Sequence, residues 1–153
     1  MTSFYLPDIA KLWFKHIIGN KETGFYLDFD IYYYCLLTGL LKEKKNPELA
    51  KKDMTEIIRY FPDDYIANKH FIIALFLKTE LSIQGIELNE KKALDKELSR
   101  LLNPNAPTSL SEDGMAQLNY YAFGGFRELQ NHFPEPPRTL DGFLIGYCQY
   151  LNR

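Results

Sequence analysis

The chain has 153 residues, 18 basic and 20 acidic, with a net charge near −2, 46% apolar residues and 25% charged ones. That length holds one core of ordinary size without disulfide or metal staples, and the near-neutral balance excludes a global field that would draw the chain to DNA or an acidic membrane. The longest uninterrupted apolar run, Phe71–Leu77, falls far short of the roughly 20 residues that span a bilayer.

Met1–Asp8 has neither a basic region nor a following apolar stretch, so no secretory signal is expected and the protein reads as cytoplasmic. Asp8 is positioned to cap a first helix with the stripe Ile9, Leu12, Trp13 and Ile17, ended by Gly19-Asn20. Gly24–Asp28 would suit a strand, but no pairing segment stands out. From Asp28 or Asp30, helical spacing resumes through Phe29, Tyr33, Leu36, Leu37 and Leu40. Asn46, as a cap, and Pro47, at a first helical position, predict a helix with the stripe Leu49, Ala50, Met54, Ile57, Ile58 and Phe61, stopped by Pro62.

Asp63-Asp64 then suits a helix N-terminus. The helix it opens, about 64–84, carries Phe71–Leu77 and is apolar on every face, which places it at the centre of the fold. Gly85 ends it. Asn89 is read as the cap of a charged helix with Leu94, Leu98, Leu101 and Leu102 in line. Asn103–Pro107 is a turn. Ser111 caps a helix with Met115, Leu118, Ala122, Gly125, Leu129 and Phe133 on one face, and Pro134–Pro137 breaks it. Thr139 caps a last helix carrying Leu140, Phe143, Leu144, Tyr147, Cys148 and Leu151.

The expected fold is therefore all-α, an irregular bundle of six to seven helices in one domain spanning 1–153, with a minor boundary at 103–108 before a C-terminal helix pair, 111–152. The prolines do not recur at about 34 residues, so no tetratricopeptide array is expected.

Chemistry-bearing residues are sparse. Cys35 and Cys148 fall on apolar helix faces and read as buried reduced thiols, with a disulfide between them left open. His16 and His70 read as core or boundary residues. Glu128 and His132, four apart, share one helix face, but a metal needs three or four ligands and no second such pair appears. No nucleophile elbow or phosphate-binding loop is present. No catalytic residue, metal or cofactor is assigned.

Aromatic residues are abundant. Six of the ten residues from Phe25 to Tyr34 are aromatic, and Tyr120-Tyr121-Ala122-Phe123-Gly124-Gly125-Phe126 lies in a stretch without lysine from Glu97 to Arg153. Tyr120, Phe123 and Arg127, at i, i+3 and i+7, define a strip of residue types enriched at interfaces, with Tyr150 in support. Gly124-Gly125 fits either a partner's backbone or internal packing against Gly142 and Gly146. Lys42, Lys44, Lys45, Lys51, Lys52 and Arg59 are candidate nucleic-acid contacts, although four acids are interspersed among them.

The leading functional expectation is a non-catalytic helical subunit or adaptor that docks onto a larger protein. The alternatives are an accessory component of a DNA- or RNA-processing complex, and an enzyme of unrecognised type. Homo-oligomerisation is left open.

Overall fold

The computed structural model describes residues 2–19, 22 and 24–152. The chain is mostly helical, as its periodicities predict, with six α-helices among the described residues, but it also contains a small sheet. Strand β1 (Phe4–Pro7) pairs antiparallel with β2 (Met54–Ile58), setting Phe4 against Ile58 and Pro7 against Met54.

This sheet corrects the expected helix after Asn46. Asn46 does cap, accepting a hydrogen bond from Leu49 N, and Pro47 does occupy the first position, but the result is a single 3-10 turn, Pro47–Lys51. Thr55, Ile57 and Ile58 are β-branched and extend readily. Their partner lies about fifty residues upstream, where local periodicity cannot reveal it. The far edge of β1 is closed by a side chain: Asn119 Nδ2 donates to Ser3 O at 2.9 Å, and Tyr5 N donates to Asn119 Oδ1 at 3.3 Å.

Helix α1 (Asp8–Trp13) is one turn and a half, ending well before Gly19. Asp8 is its first residue and not its cap. The Asp8 carboxylate instead accepts from Thr55 Oγ1 at 2.5 Å, which ties α1 to β2. The expected terminator Asn20 lies outside the described residues. Phe25 finds a partner after all, in an isolated parallel bridge with Ile18.

The centre of the molecule is built by α2 (Asp28–Lys42) and α5 (Glu112–His132), not by the segment at about 64–84. Ser111 caps α5 by accepting from Gly114 N at 3.0 Å. The segment expected to be central starts as a 3-10 turn, Asp63–Asn68, and continues as α3 (Lys69–Gln84) on the flank. Phe71 is 55% exposed and Ala74 is exposed, while Thr79 and Glu80 point inward. Helix α4 (Lys91–Leu101) follows Gly85, whose φ of +70° lets Ile86 N reach back to Leu81 O and close α3. The residue before α4 is Glu90, whose carboxylate accepts from Glu87 N at 3.0 Å, so Asn89 is not its cap. Helix α6 (Leu140–Leu151) is capped by Thr139, which accepts from Gly142 N at 3.1 Å.

The dense aromatics are largely consumed by the core. Phe4 meets Phe29, Tyr32 and Phe61 edge-on, and Phe143 gathers Phe14, Phe25, Tyr34, Phe133 and Tyr147 around it. Such pairs add about 0.5–1.5 kcal/mol each beyond the area they bury. No helix among the described residues is long and apolar enough to cross a membrane.

Candidate functional site

The residues singled out by sequence do not form one surface. Phe123 is wholly buried, so the strip Tyr120–Phe123–Arg127 has no exposed middle. Tyr120 is half-buried, and Arg127 is engaged by Gln130 Oε1 at 2.6 Å. Tyr150 packs against the His132 ring, with centroids 4.5 Å apart, beneath Lys42 Nζ at 4.6 Å. Its hydroxyl donates to Glu128 Oε2, and desolvation, with Glu128 beside it, pushes the phenol up to about 12. The pair Glu128 and His132 is thus joined to an aromatic ring, and no group of three His, Cys, Asp or Glu that could hold a metal occurs among the described residues.

The glycines resolve clearly. A Cβ on Gly125 would overlap the Cys35 carbonyl oxygen, and one on Gly39 would overlap the Tyr121 carbonyl oxygen. A Cβ on Gly124 would overlap the Lys44 carbonyl oxygen, in the segment that follows α2. These positions serve the α2–α5 crossing and not a partner. The matching glycine is Gly39, not Gly142 or Gly146; a Cβ on Gly146 would meet the Phe133 ring.

The six cations divide as well. Lys45 pairs with the buried carboxylate of Glu80 and donates to Gln117 Oε1 at 2.8 Å. Lys42 lies over Tyr150, while Lys51 and Arg59 pair with Glu48 at 3.3 Å and Glu56 at 3.4 Å. Lys44 and Lys52 are exposed. Of the thiols, Cys35 is buried, and burial pushes it far above its usual range; Cys148 is exposed, correcting its expected burial, and both are reduced. Cys148 sits one step off the stripe that α6 buries through Phe143 and Tyr147. His16 is exposed because α1 ends before it, and His70 lies on the outer side of α3.

One region joins an open apolar surface to an ordered polar support, and local sequence reading missed it. Between α3 and α4 lies a groove of about 780 Å³ lined by Ala74, Leu77, Leu81, Ile86, Leu88, Leu94 and Leu98, with Lys78 and Glu87 at its rim. A smaller groove of about 150 Å³ adjoins it on the other side of α3, walled by Leu40, Leu41, Glu43 and Leu75. Lys78 and Ser82 line both. Leu88 is 76% exposed. A third groove, of about 450 Å³, lies at α1 over Ile9, Leu12 and Trp13 and carries both signs of charge, from Lys15, Glu135 and Arg138.

Beneath the α3–α4 face, Glu80 is 1% exposed and accepts from Tyr121 OH at 2.5 Å and Gln84 Nε2 at 3.3 Å, besides its pair with Lys45. Arg100 of α4 approaches it to 3.7 Å and also pairs with Glu97. Carboxylate and cations together clamp α3, α4, α5 and the segment after α2. A buried charge persists only when partnered in this way. Every buried side-chain polar atom among the described residues is satisfied.

The Arg100 hydrogen bond first, then Gln84 and nearby charge, hold the Glu97 carboxyl below the usual glutamate range. The unfolded chain takes up that proton at higher pH than the folded one. The stabilisation is therefore complete above the ordinary glutamate pKa of about 4.3 and lost as pH falls through the folded value. Urea unfolding at pH 6 and at pH 3.5 should show the wild type losing stability on acidification. Glu97→Gln should lose less; equal losses would remove Glu97 from the acid response.

Comparison of the chain with protein-family models, with curated proteins and with solved structures gave no match.

Proposed function

We propose that this chain is a non-catalytic protein-interaction module that docks an apolar helical segment of a protein partner on its α3–α4 face. The observation that carries this reading is the mismatch within α3. A helix whose sequence is apolar on every face is ordinarily covered on every face, yet α3 leaves Phe71 and Ala74 outside beside a leucine-lined groove. Contiguous apolar surface flanked by polar rims is what helix-in-groove recognition uses.

The buried clamp supports the same reading, because it fixes the two groove walls relative to α5 before any partner arrives. Preorganised walls lower the ordering cost of association. Competing readings receive less. The thiol of Cys35 is inaccessible and protonated, and Lys45 and Lys42 are engaged within the chain and not offered to a phosphate backbone.

The test compares wild type with Leu88→Asp and Leu94→Asp in tagged pull-downs from the native host after nuclease treatment. Wild type should retain a stoichiometric protein partner at high salt. Each variant should weaken its capture at least about tenfold, the equivalent of 1.4 kcal/mol. Leu88 is so exposed that its replacement should shift stability by no more than about 0.5 kcal/mol. Capture that ignores both substitutions would show that the partner sits elsewhere.

A further inference from the structure

The large apolar groove and the smaller, mixed one share a wall, and the charged residue in that wall is Lys78. Any helix that covers both grooves must pass over it. No ion pair engages Lys78 among the described residues, in contrast to Lys11, Lys45, Lys51, Arg59 and Arg100. The single acid of α3, Glu80, faces the interior and is occupied by Lys45 and Tyr121. The remaining acids near the grooves, Glu43 and Glu87, stand in their walls on opposite sides of α3, and Glu43 already accepts from Ser82 Oγ at 3.2 Å. The larger groove is thus apolar, and the ridge between it and the smaller, mixed groove carries a cation, Lys78, that no ion pair engages among the described residues.

Covering an ammonium group with apolar side chains removes its water and returns nothing. Covering it with a carboxylate restores a charge-assisted hydrogen bond in surroundings of low dielectric, where such bonds are stronger than in water. We infer that the docking segment is an amphipathic helix bearing a carboxylate, aspartate or glutamate, between two aliphatic residues on its apolar stripe, the carboxylate meeting Lys78 and the aliphatics entering the grooves on either side. This rests on the docking face proposed above and adds the chemistry of its occupant.

Charge complementarity also separates this occupant from a second copy of the chain. An isologous contact centred on this ridge would bring Lys78 against its own equivalent, with the exposed acids that line the grooves, Glu43 and Glu87, set to either side of α3.

The experiment displays a library of 20-residue amphipathic helices, with a fixed leucine stripe and one randomised stripe position, and selects it on the full chain, on Lys78→Glu and on Leu94→Asp. Wild type should enrich Asp and Glu at the randomised position. Exchanging that acid for lysine in a selected peptide should weaken binding at least tenfold by fluorescence anisotropy, and Lys78→Glu should restore the lysine peptide. Thermal melts of the variants confirm that they are folded; Lys78 is exposed, so charge reversal there should not disturb the core. Enrichment that needs Leu94 but shows no acid preference would overturn the carboxylate inference and leave the groove standing. Absence of enrichment, or enrichment unaffected by Leu94→Asp, would overturn the docking face together with it. A concentration-dependent dimer that blocks the selected peptides would assign the face to a second copy and overturn the inference as well.

Discussion

Gly125→Ala should destabilise the protein by at least about 3 kcal/mol, beyond the ordinary effect of an overpacked side chain. The added methyl would lie 2.7 Å from Gly39 N and closer still to the Cys35 carbonyl oxygen. Both obstacles are backbone, so no rotamer change relieves them. The helices α2 and α5 would have to separate, and the core around Leu36, Tyr121 and Ala122, all without solvent exposure, would open with them. Gly39→Ala should act alike, because its methyl would meet the Tyr121 carbonyl oxygen. Gly85→Ala is the control. It faces open space at φ +70° and should cost only the left-handed penalty of about 1–2 kcal/mol. Urea denaturation midpoints distinguish these cases, and a Gly125→Ala loss no larger than that of Gly85→Ala would mean that the two helices do not cross at this separation.

Lys45→Met should cost about 3 kcal/mol, and more than Glu80→Gln, although both substitutions break the same pair. The asymmetry follows from exposure: the side chain of Lys45 is 26% exposed, that of Glu80 only 1%. Removing the lysine leaves a buried carboxylate with Arg100 at 3.7 Å as its nearest remaining cation. Removing the negative charge leaves a lysine that can turn toward water, while glutamine still accepts from the Tyr121 hydroxyl. The double variant Lys45→Met/Glu80→Gln should therefore be more stable than Lys45→Met alone, a coupling that a double-mutant cycle reads directly. A double variant less stable than Lys45→Met would show that Glu80 is held by its hydrogen bonds and not by the cation. Since this clamp supports the α3–α4 groove walls, Lys45→Met should also weaken partner capture under conditions where the chain remains folded.

Much of the local structure was legible from residue order because it is determined within a few residues. Asn46, Ser111 and Thr139 cap as their side chains predict, since a cap needs only the amide two or three positions ahead. The stripe from Met115 to Leu129 is buried because its 3.6-residue spacing survives in a long, uninterrupted helix. Where the outcome depended on a distant partner, the local signal misled. Met54, Ile57 and Ile58 fit a helical stripe, but Phe4–Pro7 draws them into a strand. Phe123 has the composition of an interface residue and becomes core, because the α2–α5 crossing turns that face inward.

Order along the chain determined by itself that the protein is mostly helical, where four of its helices lie, and that its aromatics and glycines demand close contacts. Tertiary structure alone decided which helix is central. Apolarity states how much burial a helix would gain, but not whether the rest of the chain can supply it. In α3 the inward side carries Glu80 beside Ile72, Ile73 and Phe76, because Lys45, Arg100 and the Tyr121 hydroxyl converge on the carboxylate from three other segments and make its burial affordable. Phe71 and Ala74 were left facing outward for the same reason, and the candidate docking surface exists only because of that long-range choice.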